Sequence, residues 1–236
     1  MKTVLITGAN KGIGFETVKQ MAQLGYFVYV GSRDKTKGSD AINKLKDLGI
    51  SNVELIEIDV TNINSIKQAR RKLENQIEVL DVLINNAGIS GGLVDQNMST
   101  FSMDNLREVF ETNFFGAVQT TQQFIDLLKK SSEPRIVNIS SGLGSLNFSN
   151  SHNMAFYAYG CSKTALNAFT VSLAKEFRNT DFRINSIEPG YTATNLNEYQ
   201  GTQTVEEAVG IIIKYATAGS DAPTGKFLWK EGEFAW

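Results

Sequence analysis

Tyr159-Gly160-Cys161-Ser162-Lys163 places a phenol and an ammonium four residues apart. On a helix that spacing stacks both groups on one face. A phenol with its ordinary pKa of about 10 exchanges protons poorly at neutral pH. A fixed cation beside it lowers that value, so the pair predicts a usable proton donor and acceptor in Tyr159, tuned by Lys163. Near the start of the chain, Thr7-Gly8-Ala9-Asn10-Lys11-Gly12-Ile13-Gly14 stands between a short apolar run and a helical pattern. Glycines at 8, 12 and 14 remove the side chains that would obstruct a tight turn. Such a turn brings backbone N–H groups and a helix N-terminus against a pyrophosphate.

The elements that must position these groups alternate between strand and helix patterns. Val4-Leu5-Ile6 reads as a buried strand, and Gly14, Val18, Met21 and Ala22 then recur at helical spacing up to a stop at Gly25. Strands are expected at 27–30, 53–58, 79–84, 135–139 and 182–187, with a last one at 225–229. Between them, Ile42, Leu45 and Leu48 stripe a second helix closed by Gly49, and Ile66, Ala69, Leu73 and Ile77 a third. Ala117, Thr121, Phe124, Ile125 and Leu128 mark a long helix. The Tyr159 helix continues through Leu166, Phe169, Leu173 and Phe177, and residues 205–218 are also helical in pattern. This order predicts an α/β, Rossmann-type, doubly wound and mostly parallel sheet of six to seven strands with helices on both faces. Neither a repeat nor a linker divides the chain, so residues 1–236 read as one dinucleotide-binding and catalytic domain, with 91–100 a polar loop inside it.

Which dinucleotide is a question for the end of the second strand, Ser32-Arg33-Asp34. An acid at that point binds the ribose 2′-hydroxyl and selects NAD. Here Ser32 takes the terminal position, and the Arg33 guanidinium suits a 2′-phosphate, with Lys11 in reach from the glycine turn. Asp34 is the competing signal, because a helix N-cap and a ribose ligand are both open to it. The expected cofactor is NADP(H), with an NAD preference as the alternative.

Bulk properties exclude other classes. Lys plus Arg is 23 against Asp plus Glu 25, a balance that argues against a nucleic-acid or anionic-membrane partner. A single cysteine fits a reducing compartment. The first residues are too soon interrupted by Gly8 for a signal peptide, and no apolar run reaches a membrane span of about 20 residues. A cytoplasmic protein is expected. His152, the only histidine, reads as surface, and Cys161 as a small buried hydrophobe. With no Cys/His cluster, no metal site is expected. Trp229, Phe234 and Trp236 either wall a pocket or simply pack.

Taken in order, these motifs resemble the short-chain dehydrogenase/reductase superfamily over nearly the whole chain. The glycine turn is similar to that family's Thr-Gly-x-x-x-Gly-x-Gly, and Asn85-Asn86-Ala87-Gly88 to its Asn-Asn-Ala-Gly. Asn113 matches the active-site Asn, Ser140-Ser141 the end of strand five, and Tyr159 to Lys163 the Tyr-x-x-x-Lys pair. Pro189-Gly190-Tyr191-Thr192-Ala193-Thr194 resembles the Pro-Gly segment that closes over nicotinamide. Lys11 with Arg33 is similar to the NADPH-using members, carbonyl reductases among them.

The resemblance implies reversible reduction of an aldehyde or ketone to an alcohol. Tyr159 would protonate the carbonyl oxygen, and Lys163 would hold the nicotinamide ribose. Ser141 would stabilise the substrate oxygen, and Asn113 would hold a water that refills the proton through Lys163. Gly8, Asn10, Lys11, Gly12, Ile13, Gly14 and Arg33 would line the phosphate and ribose end. Asp59 and Val60 would flank the adenine, with a plain helix cap as the other reading of Asp59. Asn86, Ala87 and Gly88 would let the backbone pass the ribose, and Pro189, Gly190, Thr192 and Thr194 would cover the nicotinamide. One departure stands out: Ser141 and Tyr159 lie 18 residues apart, more than the family usually allows, which keeps Ser140 and Ser145 as rivals. Leu146, Phe148, Met154 and Phe156 in that segment, with Tyr191, suggest an apolar carbonyl. The helices at 113–130 and 159–178 imply a homodimer or tetramer by analogy. A non-catalytic NADP(H)-binding regulator is the competing class.

Overall fold

The computed structural model describes residues 1–92, 97–151 and 156–236. Its elements run β1 Thr3–Ile6, α1 Gly12–Gln23, β2 Phe27–Ser32, α2 Lys35–Asp47, β3 Val53–Glu57, α3 Ile63–Glu74 and β4 Val82–Asn85. There follow α4 Met103–Phe110, a π-helical turn Glu111–Phe115, α5 Gly116–Leu128, β5 Arg135–Ile139 and the short α6 Leu146–Ser151. The chain then runs through α7 Tyr157–Glu176, β6 Arg183–Ile187, α8 Val205–Ala216, β7 Phe227–Trp229 and β8 Gly232–Glu233. The sheet order is β3-β2-β1-β4-β5-β6-β7-β8, parallel throughout except for the β7–β8 pair. The crossover from β3 back past β1 to β4 puts the topological switch point above β1 and β4, where such sheets bind their ligands.

A sheet covered on both faces needs strands apolar on both faces. β1 is buried at every position. Val4 and Ile6 face one core, with Val18, Met21, Leu45 and Ile212 of α1, α2 and α8. Leu5 faces the other, with Ile66, Leu73 and Phe124 of α3 and α5. A polar chain crosses the sheet beneath the carboxyl ends of β4–β6. Asn85 Nδ2 donates to Asn138 Oδ1 at 2.8 Å and to Thr121 Oγ1 at 3.0 Å; Asn138 Nδ2 donates to Thr170 Oγ1 at 2.8 Å. Thr170 and Ser186 hydroxyls meet at 2.8 Å, so α5, β4, β5, α7 and β6 share one buried network.

Several sequence expectations need correction. The sheet has eight strands, because a two-residue β8 adds an antiparallel edge. Leu48 lies outside the core at 60% exposure, as the C-cap of α2. The fourth strand starts at Val82 rather than at 79, since Thr3 N–H and Oγ1 hydrogen-bond Asp81 and Val79 as a turn. Helix α4 buries only Val109, although Met103, Leu106, Val109 and Phe110 recur at helical spacing, and α6 has no buried residue; neither is among the helices expected from the sequence. His152 and Met154, and the centre of the 91–100 loop, lie outside the described residues.

Candidate active site

The cleft is a cavity of about 550 Å³ that runs over the carboxyl ends of the strands, from the glycine turn to Tyr159. Its floor at one end is backbone. Gly8 has φ +62°, and a Cβ there would stand 2.8 Å from the Ala87 Cα. A Cβ on Gly14 would stand 2.6 Å from the Gly8 carbonyl oxygen and 2.5 Å from Asn86 Nδ2. Only hydrogen fits at either place, and the cradle this leaves is the shape a pyrophosphate requires. Thr7 Oγ1 accepts the Asn86 and Ala87 N–H groups at 3.0 and 3.1 Å, and Asn86 Nδ2 donates to the Thr7 and Gly8 carbonyls. These bonds lock the Asn-Asn-Ala-Gly segment onto the glycine turn.

At the ribose end, Lys11 and Arg33 line the cleft and Asp34 does not. Asp34 is the N-cap of α2, where its Oδ1 accepts the Lys37 N–H at 3.0 Å. That N–H, followed by Lys37 itself, holds its carboxyl below the ordinary range. Asp59 lines the cleft with Val60 and accepts both Thr61 N–H and Thr61 Oγ1, while Asn62 caps α3. The helix-cap reading of Asp59 is therefore excluded. Asn10, Gly12, Ile13, Ala87, Gly88, Pro189, Gly190, Thr192 and Thr194 also line the cavity. Thr192 Oγ1 donates to the Gly190 carbonyl, and Thr194 caps the short turn Asn195–Asn197, so part of the Pro-Gly segment is braced by its own hydroxyls.

At the other end Ser141, Tyr159, Lys163 and Glu188 converge from the ends of β5 and β6 and from α7. Lys163 is buried, and its Nζ donates to the Ile139 carbonyl at 2.7 Å while standing 5.4 Å from the Tyr159 ring centroid. Burial pulls the Lys163 ammonium down to about 8, opposed by the Glu188 charge. The expected depression of Tyr159 is corrected here. Burial first, then Glu188, pushes its phenol above the ordinary range, with a Ser141 hydrogen bond pulling the other way. Desolvation of a phenolate beside a carboxylate outweighs the nearby ammonium.

Ser140 and Ser141 both line the cleft, and Ser141 Oγ accepts the Leu143 N–H at 3.2 Å. Ser140 is buried and donates to Asn167 Oδ1 at 2.7 Å, and Ser145 is spent on the Phe148 N–H. The long segment before Tyr159 contributes Leu143, Phe148 and Phe156 to the cleft wall. Asn113 sits in the π-helical turn beneath Gly88. Its amide exchanges two bonds with the Ile89 backbone, 2.8 and 2.9 Å, and donates to Ser162 Oγ at 3.0 Å. Both Nδ2 hydrogens are thus taken, while Oδ1 carries one bond and keeps a second lone pair. Cys161, expected to be buried, is exposed. Trp229, Phe234 and Trp236 do not line the cleft; Phe234 packs behind Phe148 at 5.7 Å between ring centroids. Sequence reasoning passed over Glu188, whose only sequence signal is a carboxylate directly after a strand and before the Pro-Gly turn.

A doubly wound sheet with a glycine cradle at its switch point, and a Tyr–Lys pair across the same cleft, defines a dinucleotide-dependent oxidoreductase fold. The profile of the short chain dehydrogenase family matches residues 2–204, and the chain belongs to that family of oxidoreductases. It is 35% identical over 247 residues to a short-chain dehydrogenase (anuI) of Penicillium roqueforti, covering 99% of this chain and 97% of that one. It is 30% identical over 300 aligned positions to a (+)-neomenthol dehydrogenase of Capsicum annuum, covering 96% and 95%. Since the alignment is longer than this 236-residue chain, the pepper protein has segments that this chain lacks. Among solved structures, an NADPH-bound carbonyl reductase from chicken fatty liver superposes with a TM-score of 0.87 at 30% identity, over 100% of this chain and 99% of that one.

Proposed function

We propose that this oxidoreductase reduces an aldehyde or ketone to an alcohol, reversibly, with NADP(H) as cofactor. The observation that carries the reading is the joining of Ser141, Tyr159 and Lys163 to the glycine cradle by one continuous cleft, with Lys11 and Arg33 at its ribose end. When bound, NADPH supplies the hydride. Tyr159 donates its phenolic proton to the carbonyl oxygen. A raised pKa suits that role, because the phenol holds its proton at neutral pH and the developing alkoxide is a far stronger base. Ser141 hydrogen-bonds the same oxygen as charge develops. Lys163 would hold the nicotinamide ribose, and Asn113, in the π-helical turn, would hold the water that refills the proton through Lys163. Asn10, Gly12, Ile13, Asp59, Val60, Asn86, Ala87, Gly88, Pro189, Gly190, Thr192 and Thr194 contact the cofactor along the cleft.

Arg33 and Lys11 bind the 2′-phosphate, which the capping role of Asp34 leaves without a competing acid. The chicken carbonyl reductase is NADPH-bound, and the same cofactor is read for this chain. Leu143, Phe148, Phe156 and Tyr191 favour an apolar carbonyl. The reading takes residues 1–236 as one domain of a cytoplasmic enzyme; among the described residues no helix is long and apolar enough to cross a membrane. It also takes a homo-oligomer, dimer or tetramer, built on the helices at 113–130 and 159–178, where Phe115 and Val171 are exposed. Initial rates with NADPH and NADH against a panel of aldehydes and ketones test it. Carbonyl-dependent oxidation of NADPH is expected, and measurable NADPH affinity without turnover on any carbonyl would leave a regulator instead.

A further inference from the structure

Glu188 follows β6 directly before the Pro-Gly turn and lines the cleft with Tyr159 and Lys163. Its Oε1 accepts the Gly190 N–H at 2.8 Å. The Gly142 N–H favours the charge without reaching hydrogen-bond geometry, and Oε2 is buried with no partner. Among the described residues no cation lies within ion-pair distance of this carboxylate. The nearest ammonium, Lys163, spends a hydrogen bond on the Ile139 carbonyl instead. A carboxylate in that position is costly unless a counter-charge arrives. In the reading proposed above, the nicotinamide lies beside Tyr159 and Lys163, and it carries a positive charge only when oxidised.

We infer that Glu188 sets the balance between the two oxidation states of the cofactor, its carboxylate favouring NADP⁺ over NADPH by acting on the charge of the nicotinamide ring. This goes beyond the reading above but rests on it. No proton or bond is transferred by Glu188; it acts by charge alone. Burial pushes its carboxyl up to about 7, with the Gly190 N–H, the Gly142 N–H and Lys163 opposing. The charge is therefore present above that pH and lost below it. The ionisable groups facing it are Tyr159 and Lys163 of α7, and the other ionisable side chains along the cleft are Lys11, Arg33, Asp59 and Tyr191. Lys163, near 8, adds a second step at higher pH, which has the same sign because its own charge repels the oxidised ring.

Calorimetric titration of the full-length protein with NADP⁺ and with NADPH, from pH 5.5 to 8.5, tests the inference by binding alone. The phosphate of the cofactor titrates in both oxidation states and cancels in the ratio of dissociation constants. The wild type is expected to gain relative affinity for NADP⁺ as pH rises through 7. Glu188→Gln keeps the acceptor for Gly190 and is expected to weaken NADP⁺ against NADPH about tenfold at pH 8, with the step near 7 gone. Glu188→Asp is expected to retain the step. Equal loss of both affinities in Glu188→Gln, or a step near 7 that survives in it, overturns the inference. Wild-type protein that binds neither cofactor would instead overturn the proposed function.

Discussion

The two ends of the cleft are built on opposite principles. At the glycine end the backbone is the ligand-binding surface, and side chains serve by being absent or by tying loop to loop, as Thr7 and Asn86 do. At the Tyr159 end the side chains are the surface, and what matters is the medium around them. There burial and the Glu188 charge decide the protonation of Tyr159, and burial that of Lys163. Binding rests on shape that a local motif dictates, whereas chemistry rests on a dielectric that elements distant in sequence assemble.

The largest expected effect separates the two ends. Tyr159→Phe removes the proton donor and should lower carbonyl-dependent turnover by about 10³-fold, with NADPH affinity within roughly threefold of wild type. Near wild-type turnover would refute the donor assignment. Gly8→Ala is the converse, since it forces a Cβ at positive φ against Ala87. It should weaken NADPH at least about tenfold and lower the melting temperature by roughly 5 °C. Unchanged affinity by titration would show that the cradle tolerates a side chain.

Smaller effects sharpen the contrast. Arg33→Ala, at an exposed position, should cut the NADPH-over-NADH preference about tenfold without a change in thermal unfolding. Phe234→Ala removes support behind Phe148 and should raise KM for the carbonyl about threefold while NADPH affinity holds. A parallel loss of both would mean that α6 supports the whole cleft. Asp34→Ala comes last: the loss of an N-cap costs a few degrees of melting temperature, and cofactor preference stays put. A switch of that preference would return Asp34 to the ribose.

The same contrast explains what could be read in advance. Strands β1, β4 and β5 and the glycine turn were legible because full burial and positive φ each demand particular residue types locally. Helix α4 was not, although Met103, Leu106, Val109 and Phe110 recur at helical spacing behind the cap Ser102; at eight residues it is short and follows a polar loop. α6 escaped because it has no buried residue and leans on the tail through Phe148 and Asn147, and β8 because two residues paired to β7 leave no strand pattern. The direction of the Tyr159 shift was misread for a related reason. The spacing to Lys163 is visible in one dimension, but Glu188, from another strand, reaches the pair only in the fold. Likewise the exposure of Cys161 depends on which face of α7 meets the sheet.

The Asn85–Asn138–Thr170–Ser186 chain has a consequence for traffic through the cleft. Apolar contacts alone let a helix creep along its neighbours, but directional bonds at fixed spacing key α7 to two strands at once. With Lys163 also anchored to Ile139, the helix that carries Tyr159 travels only with the sheet beneath it. Admission and exit of the reactants then fall to the rim after Gly190, where Tyr191 and Leu196 are exposed, while the reacting groups keep station.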